Sequence, residues 1–298
     1  GMSGLALIMK GLGFKIQGSD ISKNKNIERL RQSKIKVFVG HKSLNVKDAT
    51  ILVISSAIKS NNVELKAAKK LNLPVYKRGD MLAHITSLKK NIVVAGSHGK
   101  TTTTSLIAAI FSEAKLDPTI INGGVINSLK NSARLGKSDW SILESDESDG
   151  SFTKVPPTYA VVTNIDREHM DFYKSIHNLK DHFKNFIKNV PSFGKTFLCA
   201  DDKNNRDLIK TIKMKNFLTY GIKKDSNFVI KNIKNFSDKS SFNIELNLPN
   251  KRKTKIKNIT LPLIGLHNVR NATAAVATSF YMGISSKIIK KGLKNFKG

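Results

Sequence analysis

The chain has 298 residues, of which 40% are hydrophobic and 24% are charged. This composition excludes a collagen-like, disulfide-stapled or largely disordered protein, and the length suggests two domains of about 100–200 residues each. The single cysteine, Cys199, cannot form an internal disulfide, and no apolar run approaches the roughly 20 residues needed to span a bilayer. We therefore expect a cytoplasmic protein that has no membrane partner.

The net charge of +29 raises the question of a nucleic-acid partner. Only eight of the 51 basic residues are arginine, and the lysines are scattered through every segment. A surface that recognises phosphates usually presents arginine forks in a concentrated patch. We interpret the charge as a lysine bias on solvated faces and expect no nucleic-acid partner. A nucleic-acid-binding protein stays an alternative, which a salt titration with duplex DNA would separate.

Residues 1–89 alternate short strands and helices. A helical pattern begins directly after residue 1, strands are predicted at 14–17, 37–39 and 51–55, and helices at 27–33 and 62–71. This alternation predicts an α/β fold with a Rossmann-like parallel-sheet domain over 1–89. A Rossmann unit has a strand and a glycine turn before its first helix, so we expect that this first strand is missing.

Residues 90–298 form the second predicted unit. Strands are expected at 92–95, 140–143, 159–163, 196–200 and 217–220, with a helix from the glycine loop at 96–99 to residue 114. Between 226 and 263 the pattern changes to short antiparallel strands, and a last helix covers 268–281. We predict a P-loop-type central ATPase domain with a small antiparallel sheet.

The run GSHGKTTTT at 96–104 follows a buried strand and opens a helix. Glycines let backbone N–H groups close around a phosphate chain, and the helix N-terminus adds its dipole. Lys100 would reach the terminal phosphates, and the Thr101 hydroxyl would face Mg²⁺. The residues predicted to bind ATP here are Gly96, Ser97, His98, Gly99, Lys100, Thr101 and Thr102.

Five carboxylates lie within residues 139–149, and no basic residue interrupts them. Carboxylates repel one another unless a cation or hydrogen-bond donors face them. Glu144 comes directly after an apolar strand, where an acid of a nucleotide-binding sheet can hold Mg²⁺. A solvated acidic loop is the alternative interpretation of this segment.

His169 lies in the run TNIDREHMD, directly after the strand at 159–163 and between acids on both sides. Ligands of open α/β sheets bind at the carboxyl ends of strands, so His169 is the one histidine that we predict to bind metal. His98 in the glycine loop and His267 beside the last helix are weaker candidates.

Together these motifs resemble the Mur ligase family, the ATP-dependent amide-forming enzymes of peptidoglycan precursor synthesis. The matching pieces run in family order along the whole chain: GMSG at 1–4, GSD at 18–20, GSHGKTTTT, ESDESDGSF at 144–152, Thr163-Asn164 with His169, Asp201-Asp202, and GLHN at 265–268 with Asn271-Ala272. One departure is Glu168, where the family commonly has aspartate, and we expect it to alter only the surroundings of the metal.

The resemblance implies a role for each matching residue. Lys100, Glu144 and His169 would be catalytic, with Thr101, Glu144 and His169 as Mg²⁺ ligands. His267, Asn268 and Asn271 would lie near the adenine of ATP. The residues implied to bind the UDP-sugar are Gly4, Asp20, Asp149 and Ser151.

The resemblance also implies the reaction, which joins L-alanine to the lactyl carboxylate of UDP-N-acetylmuramic acid through an acyl phosphate. A tripeptide-recycling ligase of the same family and a non-catalytic nucleotide-binding module stay open as alternatives. We expect the family's C-terminal amino-acid-binding domain to be absent from these 298 residues, so that alone they bind nucleotide weakly and turn over little. The oligomeric state stays unknown.

Overall fold

A computed structural model describes residues 2–126, 131–213, 216–249 and 252–297. The first part of the chain, up to Thr86, contains four helices and two pairs of parallel strands: α1 (Met2–Gly11), β1 (Gln17–Asp20), α2 (Lys25–Gln32), β2 (Lys36–Val39), β3 (Leu52–Ile54), α3 (Val63–Lys70), β4 (Val75–Lys77) and α4 (Arg78–Thr86). β1 pairs with β2 and β3 pairs with β4. The predicted parallel, Rossmann-like pattern is therefore present as two separate pairs.

Asparagine side chains begin two of these helices. The Asn24 carbonyl oxygen accepts hydrogen bonds from the backbone N–H groups of Asn26 and Ile27, and Asn62 caps α3 in the same way. Such caps satisfy donors that have no partner inside the helix. The strand predicted at 14–17 lies instead at Gln17–Asp20, because its ladder with Lys36–Val39 fixes the extended segment. Phe14 stays outside the ladder, with half of its surface exposed.

The second part of the chain builds one ten-stranded sheet. Its strands are β5 (Lys90–Ala95), β6 (Thr119–Ile126), β7 (Asn131–Arg134), β8 (Trp140–Glu144), β9 (Tyr159–Val162), β10 (Lys195–Cys199), β11 (Phe217–Gly221), β12 (Phe228–Asn235), β13 (Ser240–Leu246) and β14 (Thr254–Leu261). Its helices are α5 (Lys100–Glu113), α6 (Met170–Tyr173), α7 (Ile176–Lys188), α8 (Lys203–Thr211), α9 (Leu266–Tyr281) and α10 (Ser286–Lys294). The strand order is β14-β13-β12-β11-β10-β9-β5-β8-β6-β7.

The antiparallel strands extend this sheet and do not form one of their own. β12 pairs in parallel with β11 through Tyr220 and Gly221, and β13 and β14 then add antiparallel strands to the same edge. The antiparallel strands predicted between 226 and 263 are present, and they form one edge of the ten-stranded sheet. The parallel pairing of β11 with β12 is a feature that the apolar pattern of the sequence does not contain.

The core lies on both faces of the ten-stranded sheet. Successive side chains of a strand point to opposite faces, so Ile92 and Val94 join one cluster while Val93 and Ala95 join the other. The first cluster packs against α5, α9 and α10, and the second against α7 and α8. β5 is buried on both sides, as expected of a central parallel strand.

The first part of the chain packs on the second face of the sheet. Ile8 of α1 and Leu82 of α4 belong to the same buried cluster as Leu143 of β8. At its rim, Lys154 forms an ion pair with Asp80 of α4. Among the residues described, no helix combines the length and apolar character that crossing a membrane requires.

Candidate functional site

The glycine loop lies at the carboxyl end of β5, between that strand and α5. Gly96 and Gly99 adopt backbone φ angles of +132° and +81°, which residues with a Cβ rarely adopt. A Cβ at Gly96 would lie 2.1 Å from Thr163 Oγ1, and one at Gly99 would lie 2.5 Å from Asn271 Oδ1. Both glycines are therefore required by backbone conformation and by close neighbours.

The segment after β9 holds this loop in place. The His98 N–H donates to Asn164 Oδ1 at 2.8 Å, and the Thr163 hydroxyl donates to the His98 carbonyl at 2.7 Å. The Asp166 N–H donates to Ser97 Oγ, also at 2.8 Å. The TNID run therefore fixes the conformation of the loop, a role that the sequence alone did not indicate.

Lys100, the first residue of α5, connects the loop to the acidic segment after β8. Its Nζ donates hydrogen bonds to the carbonyls of Gly96 and Ser97 and lies 2.8 Å from Glu147 Oε2. The Glu147 side chain is only 1% exposed, and that of Lys100 is 13% exposed. The lysine predicted to bind phosphates is thus part of a buried ion pair.

The two neighbouring acids of this segment have opposite pKa shifts. Burial raises the pKa of Glu147, and its hydrogen bond and charge interaction with Lys100 offset this only in part. Burial also acts to raise the pKa of Asp146, but hydrogen bonds from Ser148 and the positive charges of Arg78 and Lys100 hold it below its usual value. Burial therefore disfavours the ionised form of Glu147, whereas the surroundings of Asp146 favour its ionised form.

Glu147 also belongs to a group of side chains that could hold a cation. One donor atom each of Glu147, Glu168 and His169 lies within 4.8 Å of the others. His169 Nε2 is 3.7 Å from Glu147 Oε1, and His169 adopts a left-handed backbone with φ +56° at the start of α6. Two carboxylates and an imidazole fit a divalent cation such as Mg²⁺, with room for water ligands.

Glu144 ends β8 on the other side of the loop region. Its Oε2 accepts a hydrogen bond from the Gly123 N–H at 2.7 Å, and a Cβ at Gly123 would lie 2.7 Å from its Oε1. Thr101 and Thr102 are half-buried in the first turn of α5. The grouped donors are thus Glu147 and Glu168 with His169, and the predicted ligand Glu144 is not a member of that group. In the sequence, Glu147 is one of the five carboxylates within 139–149 and Glu168 is the departure from the family pattern, but neither was predicted as a metal ligand.

The residues predicted near adenine lie at the start of α9. Asn271 is buried against Gly99 of the glycine loop. Asn268 donates from its side chain to the Ile264 carbonyl at 2.8 Å, and the His267 ring lies against Gly265. The structure therefore brings Asn271 to the loop and leaves the other two in the first turn of the helix.

A cavity of about 280 Å³ lies beside this helix and is lined by Asp201, Ile222, Lys223 and Arg270. Asp201 is buried, accepts hydrogen bonds from the N–H groups of Ile222 and Lys223, and pairs with Arg270 Nε at 2.7 Å. The sequence analysis noted Asp201 as part of a motif without giving it a role. The cavity could not be predicted from the sequence, because its lining residues come from segments that are distant in the chain.

The four residues predicted to bind the UDP-sugar occupy three places. Gly4 is buried in α1, and Asp20 is the exposed last residue of β1. Asp149 accepts a hydrogen bond from the Ser151 N–H, and Ser151 lies against Gly79 at the start of α4. The structure therefore joins Asp149 and Ser151 to the first part of the chain through α4.

Comparison with known proteins identifies both parts of the chain. Residues 94–279 match the family model of the Mur ligase middle domain, and residues 1–90 match that of the Mur ligase family catalytic domain. Over all 298 residues the chain is 65% identical to a UDP-N-acetylmuramate–L-alanine ligase of Pelagibacter ubique and 45% identical to one of Brucella ovis. The chain spans 64% and 63% of the length of these two relatives.

Solved structures give the same fold. A UDP-N-acetylmuramate:L-alanyl-γ-D-glutamyl-meso-diaminopimelate ligase of Neisseria meningitides aligns with a TM-score of 0.88 at 25% identity, over 100% of this chain and 95% of that chain. A UDP-N-acetylmuramate–alanine ligase of Thermotoga maritima aligns with a TM-score of 0.86 at 24% identity, over 100% of this chain and 66% of that chain.

Proposed function

The chain belongs to the Mur ligase family, and on this premise we propose that it is an ATP-dependent ligase that joins L-alanine to the lactyl carboxylate of UDP-N-acetylmuramic acid. The observation that carries the proposal is the 65% identity to an L-alanine ligase over all 298 residues. The glycine loop with Lys100 at its end supports the nucleotide part, because it has the strand, turn and helix of a phosphate-binding loop.

The reaction follows from the chemistry of a carboxylate, which is a poor acyl donor. Transfer of the γ-phosphoryl group of ATP to the lactyl carboxylate gives an acyl phosphate and ADP. The alanine amine attacks the acyl carbon, and the tetrahedral intermediate collapses to the amide and inorganic phosphate. Lys100 and the loop N–H groups would neutralise charge on the transferring phosphoryl group, so the protein contributes mainly positioning and electrostatics.

We propose Mg²⁺ as the cation of this site. It would be held by His169 with Glu147 and Glu168, and by Thr101 and Glu144 as the resemblance implies. When bound, Mg²⁺ supplies Lewis-acid neutralisation of the phosphate oxygens. The fit rests on the two carboxylates and the imidazole whose donor atoms lie within 4.8 Å of one another.

The remaining assignments are proposals of the same kind. Residues 1–89 would bind the UDP-sugar through Gly4 and Asp20, together with Asp149 and Ser151 of residues 90–298. His267, Asn268 and Asn271 would contact the adenine, and the contact of Asn271 with Gly99 supports its place at the nucleotide. Because both ATP and nucleotide sugars are cytoplasmic metabolites, we propose a cytoplasmic location.

A ligase that adds a tripeptide instead of L-alanine is the second candidate. It is kept because the Neisseria ligase aligns with a TM-score of 0.88 at 25% identity, about as well as the Thermotoga alanine ligase. Phosphate release with ATP and UDP-N-acetylmuramic acid distinguishes the two when this chain is joined to an amino-acid-binding domain. L-alanine should raise the rate above background if the first proposal is right, and the tripeptide L-alanyl-γ-D-glutamyl-meso-diaminopimelate if the second is right.

Isothermal titration calorimetry with a non-hydrolysable ATP analogue tests the nucleotide site. We expect binding that Mg²⁺ strengthens and that Lys100→Ala weakens at least tenfold, since about 1.4 kcal/mol of lost phosphate interaction gives that factor. Lys188→Ala, an exposed lysine of α7, is the matched control and should bind like the wild type. Equal binding by Lys100→Ala and the wild type would contradict the proposal.

A further inference from the structure

The Glu147 carboxylate lies between the Lys100 ammonium group and a group of side chains that could bind a cation. On one side, Lys100 Nζ lies 2.8 Å from its Oε2 and donates a hydrogen bond to its Oε1 at 3.1 Å. On the other side, its Oε1 lies 3.7 Å from His169 Nε2, within the group that also contains Glu168. The same two oxygens therefore face both an ammonium group and a set of cation-binding atoms.

Burial makes it costly to leave this carboxylate without a positive partner. The Glu147 side chain is 1% exposed, so water cannot replace a partner that moves away. Removing one member of a buried ion pair leaves a charge whose desolvation is not compensated. Whenever Lys100 leaves Glu147, another cation or a proton has to take its place, or the state is strongly disfavoured.

Lys100 has two sets of partners to satisfy. Its Nζ bonds to the carbonyls of Gly96 and Ser97, so the ammonium group lies over the loop and is directed towards Glu147. A phosphate chain in the loop would need the same ammonium group as its own counter-ion. The phosphates and Glu147 therefore compete for the ammonium group of Lys100.

We propose that Glu147 is a positioning residue that Lys100 and a divalent cation occupy in turn. Without nucleotide, Lys100 pairs with Glu147. When the nucleotide binds, Lys100 turns to the phosphates, and a cation held by Glu147, Glu168 and His169 becomes the positive partner of Glu147 in its place. The inference rests on the proposed function insofar as the loop binds ATP. It makes cation and nucleotide binding mutually supportive through this chain's own residues.

Cation binding without nucleotide tests the exchange directly. Free Mn²⁺, measured by electron paramagnetic resonance with the full chain, should bind at least fivefold more tightly to Lys100→Met than to the wild type, because the competing ammonium group is gone. The added Mn²⁺ should also raise the melting temperature of Lys100→Met more than that of the wild type. Glu147→Gln should bind Mn²⁺ more weakly than Lys100→Met. The variant that carries both substitutions should also bind Mn²⁺ more weakly than Lys100→Met.

Glu28→Gln is the control, because it removes a negative charge at an exposed position of α2 without removing a partner of Lys100 or Glu147. We expect its Mn²⁺ affinity to stay within twofold of the wild type. Equal Mn²⁺ affinity of Lys100→Met and the wild type, with both chains folded by circular dichroism, would overturn the proposal.

Nucleotide binding without metal provides the reciprocal test. In the presence of EDTA, Glu147→Gln should bind a non-hydrolysable ATP analogue several-fold more tightly than the wild type, because Lys100 is released from its carboxylate partner. The strengthening by Mg²⁺ should be correspondingly smaller in this variant. Weaker or unchanged binding in EDTA would mean that Glu147 only supports the structure, and would overturn the proposal.

The two experiments separate failure of this inference from failure of the proposed function. If the wild type binds no ATP analogue with Mg²⁺, the proposed function fails, whatever the Mn²⁺ result. If the wild type binds the analogue but Lys100→Met gains no Mn²⁺ affinity, the ATP site stands and the exchange at Glu147 is wrong.

Discussion

Gly99 combines two requirements that a single methyl group would violate. Its backbone is left-handed at φ +81°, and a Cβ would lie 2.5 Å from Asn271 Oδ1. We expect Gly99→Ala to weaken binding of an ATP analogue at least tenfold in calorimetry, because the loop and Asn271 must both shift. About 1 kcal/mol of stability should also be lost to the left-handed conformation.

Gly283→Ala is the control that separates the two effects. Gly283 has a similar φ of +89°, but nothing lies within 4 Å of an added Cβ. This variant should lose the same stability, about 1 kcal/mol, and keep wild-type nucleotide affinity. Equal nucleotide affinities for the two variants would show that the contact with Asn271 is irrelevant.

A second residue-scale prediction concerns acid stability and Glu64, which is 7% exposed. Burial acts to raise the pKa of Glu64, but hydrogen bonds from Ser19 and Asn45 and the nearby His41 outweigh it, so the pKa is lowered. A lowered pKa means that the folded state favours the ionised carboxylate. Its contribution is complete above the unfolded pKa of about 4.3 and is lost as the pH falls through the folded value.

We therefore expect the free energy of unfolding to fall more steeply below about pH 4.5 in the wild type than in Glu64→Gln. At pH 7 the substitution should cost about 1–2 kcal/mol through weakened hydrogen bonds. Urea unfolding between pH 3.5 and 7 measures both, with exposed Glu28→Gln as control. Parallel pH curves for Glu64→Gln and the wild type would contradict the assignment.

At the scale of elements, α10 supports the helix that begins with Lys100. A Cβ at Gly292 of α10 would lie 2.8 Å from Ile110 Cα on α5, which is backbone and cannot turn aside. Replacing glycine by alanine inside a helix normally gains about 1 kcal/mol. Because overpacking costs about 1–3 kcal/mol, we expect Gly292→Ala to destabilise the protein instead.

Thermal or urea unfolding checks this reversal of sign, with Lys294→Ala on the exposed face of the same helix as control. We expect the control to change stability by less than about 0.5 kcal/mol. A stability gain in Gly292→Ala would mean that α5 and α10 can move apart at no cost.

The sequence predicted those elements whose signals are local. The run of apolar residues followed by GSHGK predicts β5, the loop and α5. Asparagine side chains cap the two helices predicted at 27–33 and 62–71. The position of β1 and the attachment of β12 to β11 could not be predicted, because both depend on which strands pair and in which direction. Register is set by pairing, which local patterns constrain only weakly.

The residues of the site also differ in whether a local sequence signal predicts them. Lys100 and His169 stand out in their motifs, whereas Glu147 was one of five acids in its segment with nothing local to distinguish it. Its burial and its contact with Lys100 arise because β8 lies beside β5 in the sheet. The assignments of Glu144, Thr101, Asp20 and the other motif residues to ligands stay predictions.

At the scale of the molecule, the net charge of +29 produces self-repulsion that salt can screen. We expect the melting temperature to rise between 20 and about 200 mM NaCl, where the Debye length falls below about 10 Å. Differential scanning fluorimetry measures this shift, and KCl at the same concentrations should reproduce it, because screening depends on ionic strength. A falling melting temperature would show that favourable ion pairs outweigh the repulsion.

The place of β5 in the ten-stranded sheet has a consequence for biosynthesis. β5 lies between β8 and β9, so both of its neighbours are synthesised after it, and the second of them ends at Val162. At about 5–20 residues per second, the apolar β5 waits roughly 3–13 seconds before its ladder is complete. The nascent chain therefore exposes its most buried strand longest, and we expect chaperone contact to be concentrated on it while translation proceeds from β5 to β9.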